Sequence, residues 1–221
     1  MRNRDRFITR ASPSDPTEQL SASTEKCARR SRRPSALDSE SDLASSARIT
    51  PSTTPCHRHL FDIDIPGRIT FRESDTLSAG DALSLFDTPW GRVGLGICYD
   101  VRFPQLAMLL RAAGASILIY PGAFNTTTGP AHWELLLRAR AVDTQCFVAA
   151  VSPARNPSST YQAWGHSTIV NPWAEVVATT DETQSTVFAE LNMARVAAVR
   201  AQIPVSLQTR SDLYALSWLK E

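Results

Sequence analysis

Three short apolar runs with two helix-like segments between them occupy the chain from Arg92 to Val151, and that alternation leaves few folds open. The spacing predicts a strand over 92–98, with Val93, Leu95 and Ile97 on one face and Gly94 and Gly96 on the other. A helix over 104–113 follows, with Pro104 at its start and Gly114 just past its end. Residues 116–120 form a continuous apolar run, as expected of a strand inside a covered parallel sheet. After a loop over 121–130, a helix over 131–144 and a strand over 147–151 complete a strand–helix–strand–helix–strand series. Such a series implies right-handed parallel crossovers and an α/β class. Strands over 83–87, 165–170, 175–179 and 187–191 add antiparallel pairing, and a helix over 193–202 is stopped by Pro204. Upstream, Phe61, Ile63 and Ile65 alternate with Asp62 and Asp64 before a Pro66-Gly67 turn.

The composition changes near residue 58. Residues 1–58 read as a disordered, low-complexity tail rich in Ser, Arg and Pro, because their sparse aliphatics cannot offset the entropy of ordering. The cluster Arg29, Arg30, Arg32 and Arg33 is thin support for a basic localisation or nucleic-acid patch. Residues 59–221 read as a single packed domain. A formal charge of +1 gives no global attraction to nucleic acid or anionic lipid, and no run approaches the roughly 18 apolar residues of a membrane span. Neither is expected as a partner. Cys27, Cys56, Cys98 and Cys146 show no CxxC pairing and no regular spacing, so neither a disulfide framework nor a zinc site is suggested. A reducing, cytoplasmic setting fits best. The Arg-rich opening leaves a mitochondrial transit peptide as the weaker alternative.

Cys98 closes a buried strand just ahead of a helix, where the loops of an α/β sheet converge and nearby helix N-termini favour thiolate. The competing reading is a small buried hydrophobe. The Tyr99 backbone N–H is placed to face an oxyanion. Arg102 has the geometry to hold a substrate carboxylate in a two-pronged grip, or else pairs internally with Asp100 or Glu73. From composition alone, Glu73 reads as a surface carboxylate in a polar loop. His132 and Glu134 open a helix whose Trp133 packs inward, and His166 reads as a hydrogen-bonded core histidine. No set of His, Asp and Glu has metal-ligand spacing, and no Gly-Lys-Ser/Thr follows the glycine loop 122–129, so a Walker loop is excluded.

Longer strings carry a resemblance. The segment from Gly94 to Pro104, GLGICYDVRFP, resembles the nucleophile elbow of the nitrilase superfamily of carbon–nitrogen hydrolases. HLFDIDIPG from His59, YPGAFN from Tyr120 and TGPAHWE from Thr128 are similar to the omega-amidase branch. So are WGHS from Trp164, NPW from Asn171 and RSDLY from Arg210. The resemblance covers about residues 59–217 in order. It implies an αββα sandwich of the C–N hydrolase type, N-terminally incomplete here, that assembles as a homodimer. It implies a Glu–Lys–Cys triad without cofactor or metal, acting on small omega-amides such as 2-oxoglutaramate or 2-oxosuccinamate. By position, Cys98 is the nucleophile, the Tyr99 N–H lines the oxyanion hole and Glu73 matches a supporting glutamate. Arg102 and Thr128 match positions that bind the substrate's distal carboxylate, and Phe124 matches a pocket wall. The lysine position, two before His59, holds His57, and the chain's lysines are Lys26 and Lys220. Glu18, Glu25 and Glu40 stand in no recognisable pattern for the general base. The expectation is an omega-amidase with impaired turnover; the alternative is a catalytically inactive protein that keeps the fold for interaction or dimerisation.

Overall fold

The computed structural model describes residues 6–10, 58–67 and 69–219, the first five as backbone only. Its centre is a six-stranded sheet in the order β4-β5-β6-β7-β8-β9. These strands are β4 (Ser84–Thr88), β5 (Gly91–Leu95), β6 (Ala115–Pro121), β7 (Phe147–Val151), β8 (Thr168–Val170) and β9 (Val176–Thr179). The three central strands β5, β6 and β7 run parallel, and β4, β8 and β9 are antiparallel additions on either side. The two parallel steps are bridged by α1 (Pro104–Ala112) and α2 (Gly129–Thr144), as the alternation of sequence patterns requires.

Both faces of the sheet are covered. On one side α1 and α2 bury Leu106, Leu110, Trp133, Leu137 and Ala141 against Leu118, Tyr120 and Val148. On the other, Val93, Ile117, Phe147 and Ile169 meet Leu191 and Val196, with Val187 and Ala189 of β10 (Thr186–Glu190) packed alongside. Val196 belongs to α3 (Ala194–Gln202). Burial on both faces explains why β6 and β7 read as unbroken apolar runs rather than alternating ones. Gly94 and Gly96 serve this packing. A Cβ on Gly94 would come within 2.9 Å of Leu118 and one on Gly96 within 2.6 Å of the Tyr120 ring, so these glycines make room for core side chains.

Two smaller sheets flank the centre. β2 (Asp62–Ile65) and β3 (Ile69–Arg72) form a hairpin, and β1 (Arg6–Arg10) pairs antiparallel with β10. β1 falls within the segment expected to be a tail. Its five residues find backbone partners in β10, a long-range pairing that local composition does not register. Observed boundaries differ from the expected ones by a few residues. β5 stops at Leu95 because the chain turns ahead of Cys98, and α2 starts at Gly129 with Pro130 in its first turn. No helix among the described residues is long and apolar enough to cross a membrane.

Leu137 of α2 is fully buried in the helix-side core. Leu137→Ala is expected to lower stability by about 3 kcal/mol, read as a lower urea midpoint with unchanged slope.

Candidate active site

The carboxyl ends of β5 and β6 open onto one pocket of about 240 Å³, lined by Phe61, Cys98, Tyr99, Arg102, Ala123, Phe124, Asn125, Thr128 and Tyr161. Five of the six site residues expected from the sequence meet there: Cys98, Tyr99, Arg102, Phe124 and Thr128.

Cys98 begins a five-residue 3-10 turn, Cys98–Arg102, with φ +47°, a left-handed conformation uncommon outside glycine. Strain of this kind persists only where the surroundings hold it. Asp100 supplies the hold. Its carboxylate is fully buried and accepts four N–H groups: Ile97 N at 2.9 Å, Arg58 N at 3.1 Å, His59 N at 3.0 Å and His59 Nδ1 at 2.9 Å. The Asp100 N–H donates back to the Ile97 carbonyl at 2.9 Å, so a reciprocal pair of bonds brackets Cys98 and Tyr99. Gly122 makes space on the other side, since a Cβ there would lie 2.7 Å from the Cys98 Cα.

The thiol is not poised as thiolate. The residue keeps partial exposure at the pocket, yet burial of the sulfur pushes the thiol up to about 11. The Ala123 backbone and the Arg102 charge pull it down, while Glu73 and Asp100 push it further up. This corrects the expectation of a dipole-favoured thiolate: desolvation outweighs the helix termini. Among the described residues, no backbone carbonyl accepts the Tyr99 N–H, which leaves that donor available beside the sulfur.

Glu73 is not a surface carboxylate. It is 6% exposed, and its Oε2 accepts the Phe61 N–H at 2.7 Å. It stands behind the pocket, fixing Phe61, whose ring meets Tyr99 edge-on at 5.0 Å. Composition could not show this, because the burying partner is 12 residues away on the other side of the β2–β3 hairpin. Arg102 does not pair with Asp100, whose oxygens are occupied by N–H donors, and no ion pair among the described residues includes Arg102. Its guanidinium lies 4.6 Å above the Phe124 ring, and burial lowers its pKa. Thr128 donates its hydroxyl to the Asn125 side-chain oxygen at 3.1 Å, and that oxygen also takes the Thr127 and Thr128 N–H groups. Trp133 is buried, as expected; His166 bonds the Thr180 carbonyl at 3.1 Å as expected, but it is half-buried and not a core residue.

The sequence reading missed Tyr161 and Asn125 as lining residues. Tyr161 donates its hydroxyl to the Ala123 carbonyl at 2.6 Å, the same carbonyl that lies 3.9 Å from the Cys98 sulfur. His57 lies outside the described residues. Among the described residues, no group of three or more His, Cys, Asp or Glu is placed to hold a metal ion.

A match to the carbon-nitrogen hydrolase family spans residues 39–201. The chain belongs to the carbon-nitrogen hydrolase family. Within that family it is 60% identical over 156 residues to omega-amidase NIT2 of Bos taurus, covering 71% of this chain and 56% of that protein. To omega-amidase NIT2 of Homo sapiens it is 59% identical over 162 residues, covering 73% of this chain and 59% of that protein. The chain thus spans less than two thirds of the length of these curated relatives. Among solved structures, the C. elegans NitFhit protein superposes with a TM-score of 0.68 at 46% identity, covering 72% of this chain and 39% of that one. Saccharomyces cerevisiae Nit3, a member of branch 10 of the nitrilase superfamily, gives a TM-score of 0.63 at 46% identity, covering 70% of this chain and 53% of that one. The mixed α/β carbon–nitrogen hydrolase fold follows from both comparisons and architecture. The family match begins at residue 39, ahead of the motifs that start at His59.

Because burial raises the thiol, alkylation of Cys98 by iodoacetamide is expected to accelerate steadily from pH 7 and to be still rising at pH 11. A thiol raised in the folded state contributes stability that is complete below its ordinary pKa and lost as pH climbs toward 11. A labelling profile that plateaus near pH 7 is the contrary result.

Proposed function

We propose that this site hydrolyses small omega-amides of 2-oxo dicarboxylates, with 2-oxoglutaramate and 2-oxosuccinamate as representative substrates. The supporting observation is that three residues line the same pocket: a cysteine at a strand-end turn, the tyrosine after it, whose N–H meets no backbone carbonyl among the described residues, and an arginine in no ion pair among them. The similarity to omega-amidases favours the same chemistry.

In this reading the Cys98 sulfur, once deprotonated, attacks the amide carbon while the Tyr99 N–H stabilises the oxyanion. The C–N bond breaks as the nitrogen takes up the proton given up by the thiol, so ammonia leaves, and water then hydrolyses the thioester to the carboxylate and restores the Cys98 thiol. Arg102, with Thr128 once its hydroxyl releases Asn125, takes the distal carboxylate, and Phe124 forms the wall beneath the guanidinium. Glu73 supports the pocket by fixing Phe61. A homodimer belongs to the same proposal; the exposed Leu135 and Val142 of α2 offer apolar surface to a second copy.

Turnover is proposed to be low. The lysine position of the family pattern holds His57, and a neutral imidazole is a weaker, differently placed donor than an ammonium. Losing one oxyanion donor costs roughly 100- to 1,000-fold in turnover. The high thiol pKa favours the second reading, an inactive protein that keeps the fold for interaction.

Ammonia release from 2-oxoglutaramate by the full chain decides between them. A slow release abolished by Cys98→Ala and raised roughly tenfold or more by His57→Lys is expected. Release that survives Cys98→Ala overturns the amidase reading, and no release from either the native chain or His57→Lys favours the inactive protein.

A further inference from the structure

Arg102 is held by three contacts. Its guanidinium carbon lies 4.6 Å from the Phe124 ring centroid and 5.9 Å from that of Tyr99, so two aromatic faces restrict it. The third contact is polar and directional: Nη1 lies 3.2 Å from Nδ1 of His132. Arginine can only donate, so this bond needs the His132 Nδ1 lone pair, with the imidazole proton on Nε2. His132 stands in the first turns of α2, four residues beyond Thr128, and is absent from the pocket lining. Glu134, the nearest carboxylate along the helix, is turned to Arg138 at 3.4 Å. Arg102 thus has a neutral acceptor as its side-chain polar partner, which keeps its charge uncompensated and its remaining N–H groups free for a ligand.

We infer that His132 is the residue that positions Arg102 for carboxylate recognition, acting through the guanidinium without touching the substrate. This rests on the carboxylate role given to Arg102 above. The aromatic contacts confine the guanidinium carbon but do not set the rotation of the group. The directional bond to Nδ1 fixes the rotation, and so the edge presented to the pocket. A carboxylate gains most from two parallel N–H donors, which makes that orientation decisive for selecting an anionic ligand over its neutral isostere.

The test needs no turnover. Rates of Cys98 alkylation in the full chain are measured at one pH with N-iodoacetylglycine, which carries a carboxylate, and with N-iodoacetylglycinamide, its neutral analogue. Their ratio cancels differences in thiolate fraction. The native chain is expected to favour the anionic reagent relative to a free cysteine peptide. Arg102→Gln should remove that preference. His132→Ala should lower the ratio about fivefold with the neutral reagent's rate and the melting temperature unchanged, and His132→Gln, which restores a neutral acceptor, should recover most of it. A ratio unchanged in His132→Ala while Arg102→Gln lowers it overturns the positioning role and leaves the carboxylate reading standing. Equal slowing of both reagents in His132→Ala, or no recovery in His132→Gln, also overturns it. A ratio indifferent to Arg102→Gln overturns the carboxylate reading itself, and this inference with it.

Discussion

The buried Asp100 carboxylate is the interaction on which the site depends. A charge taken out of water is costly unless donors replace the lost hydration. Here Ile97, Arg58 and His59 provide four N–H groups. They come from two segments about 40 residues apart in sequence, so one carboxylate fastens the strand-end turn to the stretch leading into β2. The aromatic contacts run along the same seam: His59 stacks on Phe103 at 3.5 Å, and Phe61 and Phe103 both meet Tyr99 edge-on. Held from both sides, Cys98 keeps a backbone conformation it would leave in isolation.

The same confinement sets the chemistry. Desolvation raises the thiol, so the site trades standing nucleophilicity for a sulfur fixed against one small pocket. Such a sulfur reacts only as fast as its proton is removed, which makes a neighbouring base and an oxyanion donor more consequential than in a site with a ready thiolate. Among the described residues, Arg102 is the charged side chain that pulls the thiol down, and its remaining N–H groups can meet a ligand.

Much of this was legible in the residues. The β5–α1–β6–α2–β7 series follows from apolar periodicity and from Pro104 and Gly114, because these are local signals. Cys98, Tyr99, Arg102, Phe124 and Thr128 were identified by their strings, and the fold brings them to one pocket. What escaped was set by tertiary contact. Glu73 looks exposed until the hairpin folds it onto Phe61, and Asp100 looks like a partner for Arg102 until backbone donors claim it. Tyr161 reaches the pocket from a long irregular segment whose sequence has no period to read. The thiol's pKa was misjudged because helix dipoles can be inferred from sequence, whereas the burial that outweighs them cannot.

The most direct test of this account is native-state hydrogen exchange at the Ile97, Arg58 and His59 amides, in the native chain and in Asp100→Asn. If one buried carboxylate holds both segments, all three amides exchange slowly in the native chain and lose protection together in the variant, while the Val148 and Ala149 amides of β7 stay protected. Fast exchange at Arg58 and His59 in the native chain, with Ile97 protected on its own, would contradict it.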